Sequence, residues 1–168
     1  LAAFKFRAKA SQDLPKQIHG HQRLEIAWTI APVLILVVIA VPTVATIFHN
    51  ANPPTDGRPA INVEVVGHQW WWEFRYTDEN PVVVTANEMH IPVDTVVNIT
   101  LKSADVIHSF GVPKLAGRQD AIPTRANTMW LLAEQTGAEP VTYYGQCYEF
   151  CGLSHANMRL RVIADTRE

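Results

Sequence analysis

Cysteine is almost absent from this chain: 168 residues contain two, Cys147 and Cys151. A disulfide-stapled scaffold is thereby excluded, because at most one bridge can form. Charge is also scarce, at 18% of residues with a formal net charge of -2. That balance lacks the basic surplus that nucleic-acid binding requires, so no nucleic-acid partner is expected. No Asp, Glu, Lys or Arg occurs anywhere from residue 26 to residue 48. Internal repeats and low-complexity tracts are missing too. What is present, 48% hydrophobic residues over this length, suits one ordinary folded domain with an appendage.

The uncharged stretch, Ile26 to Phe48, is twenty-three residues long. About twenty helical residues cross a bilayer's hydrocarbon core, so the stretch reads as one transmembrane helix in contact with lipid. Pro32 and Pro42 are tolerated in such a span, and Trp28 sits where an interfacial aromatic belongs. Lys5, Arg7, Lys9, Lys16 and Arg23 precede the span, whereas Arg58 alone stands in the segment that follows it. The positive-inside rule therefore puts residues 1–25 on the cytoplasmic side and the rest outside. Residues 1–6, L-A-A-F-K-F, read as the last turn of an earlier apolar segment, a first membrane helix missing from this sequence. A membrane location is expected, with the bacterial plasma membrane placed ahead of the mitochondrial inner membrane.

Residues 49–60, rich in Pro, Asn and Gly, read as a linker. From residue 61 the pattern changes to short β-branched or alternating runs: Ile61, Val63, Val65; Val82 to Thr85; Val97, Ile99, Leu101; Val141 to Tyr144; Met158, Leu160, Val162. About seven such runs predict an antiparallel, all-β Greek-key sandwich over residues 61–168. This part carries eight Lys/Arg against thirteen Asp/Glu, so its field favours a basic protein partner.

Both cysteines lie in C-Y-E-F-C-G-L-S-H-A-N-M, residues 147–158, a loop that joins two predicted strands. Two thiolates, an imidazole and a thioether within twelve residues form a donor set that suits copper better than hard cations. A blue-copper site with one metal uses one Cys, and here there are two. If Cys147 and Cys151 bridge two coppers, His108 and His155 supply one imidazole each. Met158 fills one weak axial position, and the backbone carbonyl of Glu149 is nearest to the other. Such a filled site suits electron transfer better than substrate binding.

These residues, together with D-V-I-H-S-F at 105–110, G-H-Q-W-W-W-E at 67–73, D-A-I-P at 120–123 and H-G-H-Q-R-L-E-I-A-W-T-I-A-P at 19–32, resemble subunit II of haem-copper cytochrome c oxidase. The resemblance runs from His19 to the last predicted strand. It implies a cupredoxin-like domain whose dinuclear CuA centre takes electrons from cytochrome c. They pass to haem a of subunit I, which also holds haem a3 and CuB, in support of oxygen reduction coupled to proton pumping. It assigns CuA to His108, Cys147, Cys151, His155, Met158 and the Glu149 carbonyl, and directs the Glu149 carboxylate to a magnesium or manganese ion facing subunit I. Trp70 matches the residue where the electron enters, and Glu25 an acid near the mouth of a proton pathway. Trp71 and Thr124 depart from the common pattern without removing a ligand.

Competing readings are a Cys147–Cys151 disulfide and a membrane-anchored copper chaperone or thiol oxidoreductase. The second conflicts with the all-β pattern and with a histidine upstream of the cysteines. A quinol-oxidase subunit lacking copper ligands and a nitrous oxide reductase are disfavoured by the complete ligand set and by the membrane span. His19, His21, His49, His68 and His90 read as surface or satisfied groups. Asp78, Glu79, Glu88, Asp94, Asp105, Asp120, Glu134 and Glu139 read as solvated surface.

Overall fold

The computed structural model describes residues 2–7, 17–134 and 138–166. Lys9 and Lys16, two of the basic residues counted above, lie outside the described residues. The chain divides into two units, Leu1–Ala45 and Thr46–Glu168.

The first unit contains a single turn, α1 (Ala2–Lys5), and most of α2 (Gln22–Ala51). At thirty residues, α2 is longer than the expected 26–48 and carries Pro32 and Pro42 inside it. His49, Asn50 and Ala51 are helical, so the expected linker begins later than residue 49. None of the residues of α2 is buried, and the mean hydropathy of its most apolar window is 2.6. An apolar helix with no protein cover has the character of a lipid-facing span. Near its start, Glu25 accepts the His21 N–H at 3.2 Å.

Among its described residues the second unit holds ten strands, three more than the pattern of apolar runs suggests. One sheet orders β3 (Val83–Ala86), β2 (Trp71–Tyr76), β1 (Ala60–His68), β5 (Val96–Ser103) and β8 (Asn127–Leu132). The other orders β4 (Glu88–Pro92), β10 (Arg159–Asp165), β9 (Val141–Cys147), β6 (His108–Gly111) and β7 (Arg118–Ala121). The sandwich is mixed, which corrects the antiparallel expectation: β1 runs parallel to β5, and β10 parallel to β4. These parallel pairs arise because the chain changes sheet between β1 and β5, and again between β4 and β10.

Alternating residues send one face of each sheet inward. Val63 and Val65 of β1, Trp72 and Phe74 of β2, and Ile99 and Leu101 of β5 meet Met89, Ile91, Phe110, Leu160 and Val162 of the second sheet, all nearly inaccessible. Trp72 and Phe110 pack edge to face with centroids 5.3 Å apart, the arrangement aromatic quadrupoles favour. On the outer face of the first sheet, Glu64 joins Lys102 of β5 to Arg75 of β2. The expected run Val82 to Thr85 becomes the exposed edge strand β3, with Val82 just outside it.

Candidate metal centre

β6 and β9 are neighbours, and this brings the upstream histidine to the downstream loop. His108 opens β6 and Cys147 closes β9, with Phe110 paired to Cys147. The chain then turns through Glu149 to Cys151, forms a short 3-10 turn at His155–Asn157, and enters β10 after Met158. The Cys147 N–H donates to the Met158 carbonyl at 2.9 Å, which closes the neck of the loop.

The six expected ligand groups meet at this place. Cys147 Sγ lies 3.8 Å from His108 Nδ1, 3.9 Å from Cys151 Sγ and 3.3 Å from the Glu149 carbonyl oxygen. Cys151 Sγ lies 3.6 Å from His155 Nδ1 and 3.8 Å from Met158 Sδ. His108, Cys147 and Cys151 can direct ligand atoms to within 4.8 Å of one another. A trigonal metal with bonds of about 2.0–2.3 Å holds its donors roughly 3.5–4.0 Å apart. The sulfur–nitrogen and sulfur–sulfur spacings here fall in that interval, so the donors fit a shared soft-metal site. Both cysteines are free thiols, contrary to the disulfide reading.

Burial and charge prepare these groups. His108, Cys147, Cys151 and Met158 are each at most 4% exposed, whereas His155 is half-buried. Burial raises the Cys147 thiol, but hydrogen bonds from His108 and the local backbone outweigh it and bring the pKa down to about 6. Burial and then the charge of Cys147 push Cys151 up to about 12, so the pair loses its first proton at Cys147. Burial lowers His108, yet Cys147 and Asp105 together hold it above its usual value.

Asp105 is a residue the sequence reading missed, having been taken as solvated surface. Its Oδ1 sits 2.8 Å from His108 Nε2. With the ring proton on Nε2, the Nδ1 lone pair is free to face the sulfurs, as an orienting carboxylate achieves for metal-bound histidines. Gln69, also missed, donates from Nε2 to the Cys151 carbonyl at 2.7 Å, where Trp70 Nε1 donates at 3.1 Å. The available signal was the D-x-x-H spacing for Asp105; nothing local marked Gln69.

Glu149 is exposed and borders a cavity of about 270 Å³ lined also by Ser109, Arg118, Gln119, Asp120 and Tyr148. Ser109 Oγ is buried there without a partner among the described residues. Oxygen donors of this kind suit a hard divalent cation. Trp70 lies in the turn between β1 and β2, packed against Gly152. Among the other histidines, His68 stacks on Trp71 and meets Glu73, and His90 lies between Asp165 and Glu88. Among the described residues, neither joins the cluster of His108 with the cysteines.

Fold and donors together define a helix-anchored, cupredoxin-like sandwich with a sulfur-rich candidate metal centre at one end. Residues 80–165 match the family "cytochrome C oxidase subunit II, periplasmic domain", and residues 1–46 match its transmembrane domain. The cytochrome c oxidase subunit 2 of Alkalihalophilus pseudofirmus is 42% identical, over 98% of this chain and 47% of its own length. The crystal structure of the periplasmic domain of subunit II of cytochrome oxidase of Bradyrhizobium japonicum has a TM-score of 0.57 at 33% identity, over 69% of this chain and 87% of that one. A mixed disulfide intermediate between a thioredoxin-like protein and subunit II of cytochrome c oxidase gives 0.53 at 34%, over 70% and 86%. The chain belongs to the cytochrome c oxidase subunit II family, and it spans about half the length of the relatives first matched.

Proposed function

We propose that the chain is the electron-transfer subunit of a respiratory terminal oxidase. In this reading a dinuclear CuA centre takes electrons from a cytochrome c and passes them to haem a of subunit I, in support of oxygen reduction to water coupled to proton pumping. The observation that carries the reading is the meeting of two free thiols, two imidazole Nδ1 atoms, one thioether and one carbonyl, with the sulfur–nitrogen and sulfur–sulfur pairs 3.6–3.9 Å apart.

Cys147, Cys151, His108, His155, Met158 and the Glu149 carbonyl would hold the metals. A copper pair held in this way supplies a one-electron relay. The chain's own part is to exclude water and fix the donors. Burial of His108, Cys147, Cys151 and Met158 removes solvent that would have to reorganise with each change of charge. Asp105 fixes the His108 ring, and hydrogen bonds from His108 and the local backbone hold the Cys147 thiol below its usual value, which favours the thiolate that a metal needs.

Trp70 is the proposed site of electron input, because its indole N–H bonds directly to the carbonyl of ligand residue Cys151. The Glu149 carboxylate is proposed to reach a magnesium or manganese ion toward subunit I, since Glu149 borders an open cavity. Glu25 is proposed near the mouth of a proton pathway. The domain is proposed to face the outer, positive side, the bacterial plasma membrane being the preferred setting. Cys147 and Cys151 must be reduced before they take metal, and the relative's mixed disulfide supports a thioredoxin-like reductant as a further partner. A copper chaperone or thiol oxidoreductase is not favoured, since the described part of the second unit does not alternate helices with strands.

Copper analysis and electron paramagnetic resonance on the full chain in detergent test the reading. Two coppers per chain and one unpaired electron shared by both nuclei are expected. A hyperfine pattern from a single copper would refute it.

A further inference from the structure

The turn at Gln69 and Trp70 reaches both halves of the proposed copper shell. On one side, the Gln69 backbone N–H donates to Asp105 Oδ2 at 2.7 Å. The other oxygen of Asp105 meets His108 Nε2 at 2.8 Å and accepts the Val106 N–H at 2.6 Å. On the other side, the Gln69 carboxamide and the Trp70 indole both donate to the Cys151 carbonyl, which has two lone pairs to offer. His108 faces Cys147, and Cys147 faces Cys151. The contacts therefore close into a ring that starts and ends at Gln69. The loop fits tightly on this turn: a Cβ on Gly152 would stand 3.1 Å from the Trp70 ring and 3.2 Å from Gln69 Nε2.

We propose that Gln69 is a positioning residue for the metal centre, tying the imidazole that arrives on β6 to the thiolate that arrives on the loop. The proposal rests on the copper reading above. His108 and Cys151 belong to separate segments, joined at the backbone by the β6–β9 pairing and by the Tyr148 N–H, which donates to the Ser109 carbonyl at 2.9 Å. Gln69 also ties them from outside with directional bonds: its N–H holds the carboxylate that holds His108, and its side chain holds the peptide of Cys151. The same bonds keep Trp70 against the loop. The two arms also act on the metals with opposite sign. Asp105 places negative charge behind an imidazole and favours the oxidised centre, whereas the Gln69 donor withdraws electron density from the Cys151 side and favours the reduced one.

The test uses the full copper-loaded chain in detergent. Gln69→Leu keeps the backbone bond to Asp105 and removes the donor to Cys151; Asp105→Asn removes the charge. Gln69→Leu should still bind two coppers, but retain them about tenfold less tightly against a chelator, the lower end of the loss seen when groups behind metal ligands are removed. Its hyperfine pattern should change and its reduction potential should fall, while Asp105→Asn should raise the potential. The unfolding midpoint of the metal-free Gln69→Leu chain should fall by no more than about a few degrees, the cost of one hydrogen bond. Gln69→Glu, which has the reach but cannot donate, should move the potential in the same direction as Gln69→Leu and serves if that variant does not fold. Wild-type hyperfine pattern, potential and copper retention in both Gln69 variants would overturn the proposal, as would a lowered midpoint with an unmoved potential. If the wild-type chain itself fails to bind two coppers, the copper reading falls first. A normal wild type beside unaffected variants removes the tie alone.

Discussion

Gly67 lies on β1 directly against the His108 ring, and a single methyl group there tests how firmly that ring is held. A Cβ built at Gly67 would stand 2.8 Å from His108 Cδ2, 3.1 Å from Cγ and 3.3 Å from Cβ. Ordinary carbon contacts are about 3.5–4.0 Å, so ring or strand must yield by roughly 0.7 Å or more. The ring has few ways to move, being fully buried, set edge-on against Trp72 at 5.8 Å, and bonded through Nε2 to Asp105. Overpacking of this kind costs about 1–3 kcal/mol. For a unit of this size, that lowers the unfolding midpoint by roughly 4–12 °C. Gly67→Ala should therefore lower the midpoint of the metal-free chain and also displace the His108 donor, so that fewer than two coppers are retained per chain. Gly117→Ala is the matched control, since no heavy atom lies within 4 Å of its added Cβ. Calorimetry on the metal-free chain and metal analysis after dialysis read the two effects. Two coppers and an unchanged midpoint in Gly67→Ala would refute the claim that the ring is rigidly packed.

Trp70→Phe removes the indole N–H but keeps an aromatic ring; it should slow reduction by a cytochrome c while two coppers are retained, and stopped-flow with a metal assay checks both. Loss of copper or an unchanged rate would discard the input role. His90 has a pKa raised by its hydrogen bond to Asp165, against some burial, with Glu88 adding to the rise. Because the folded-state value lies above the unfolded one, its contribution is complete below about pH 6.5 and is lost as pH rises through the raised value. The site is half exposed, so His90→Gln should remove less than about 1 kcal/mol, and only at the lower pH. Denaturation at several pH values reads this directly, and an equal loss above and below that range would contradict it.

How much was legible depended on whether the signal was local. The helix over Gln22–Ala51 announced itself by composition, and only its ends were misplaced, because a helix continues through Asn50 and Ala51 until Pro53 and Pro54 stop it. The ligand loop was readable because its donors lie within one short segment. β6 was not: His108, Ser109, Phe110 and Gly111 are all buried, so no alternation marks the strand. β7, with Arg118, Gln119 and Asp120, is held by pairing with β6 and carries almost no apolar signal of its own. Parallel pairing could not be read either, since a period of two reveals faces and not direction. Asp105 looked like an ordinary surface acid because its partner, the His108 ring, becomes its neighbour only once β6 forms. Gln69 was invisible for a similar reason: it acts on Cys151, far along the chain.

The position of β10 has a consequence for the order of assembly. Arg159–Asp165 fills the slot between β4 and β9, bonding in parallel to one and antiparallel to the other. Until that slot is filled, nothing fixes Met158, the neck bond from Cys147 to Met158 cannot close, and the loop remains an open tether bearing two reactive thiols. The β9–β10 side is a local pairing across the ligand loop, but the β4–β10 side joins Glu88 to Arg161, and contacts of such separation are slow to form. The scaffold must therefore finish folding before it can discriminate among metals, and in the interval its cysteines are chemically exposed to whatever oxidant or reductant the compartment provides.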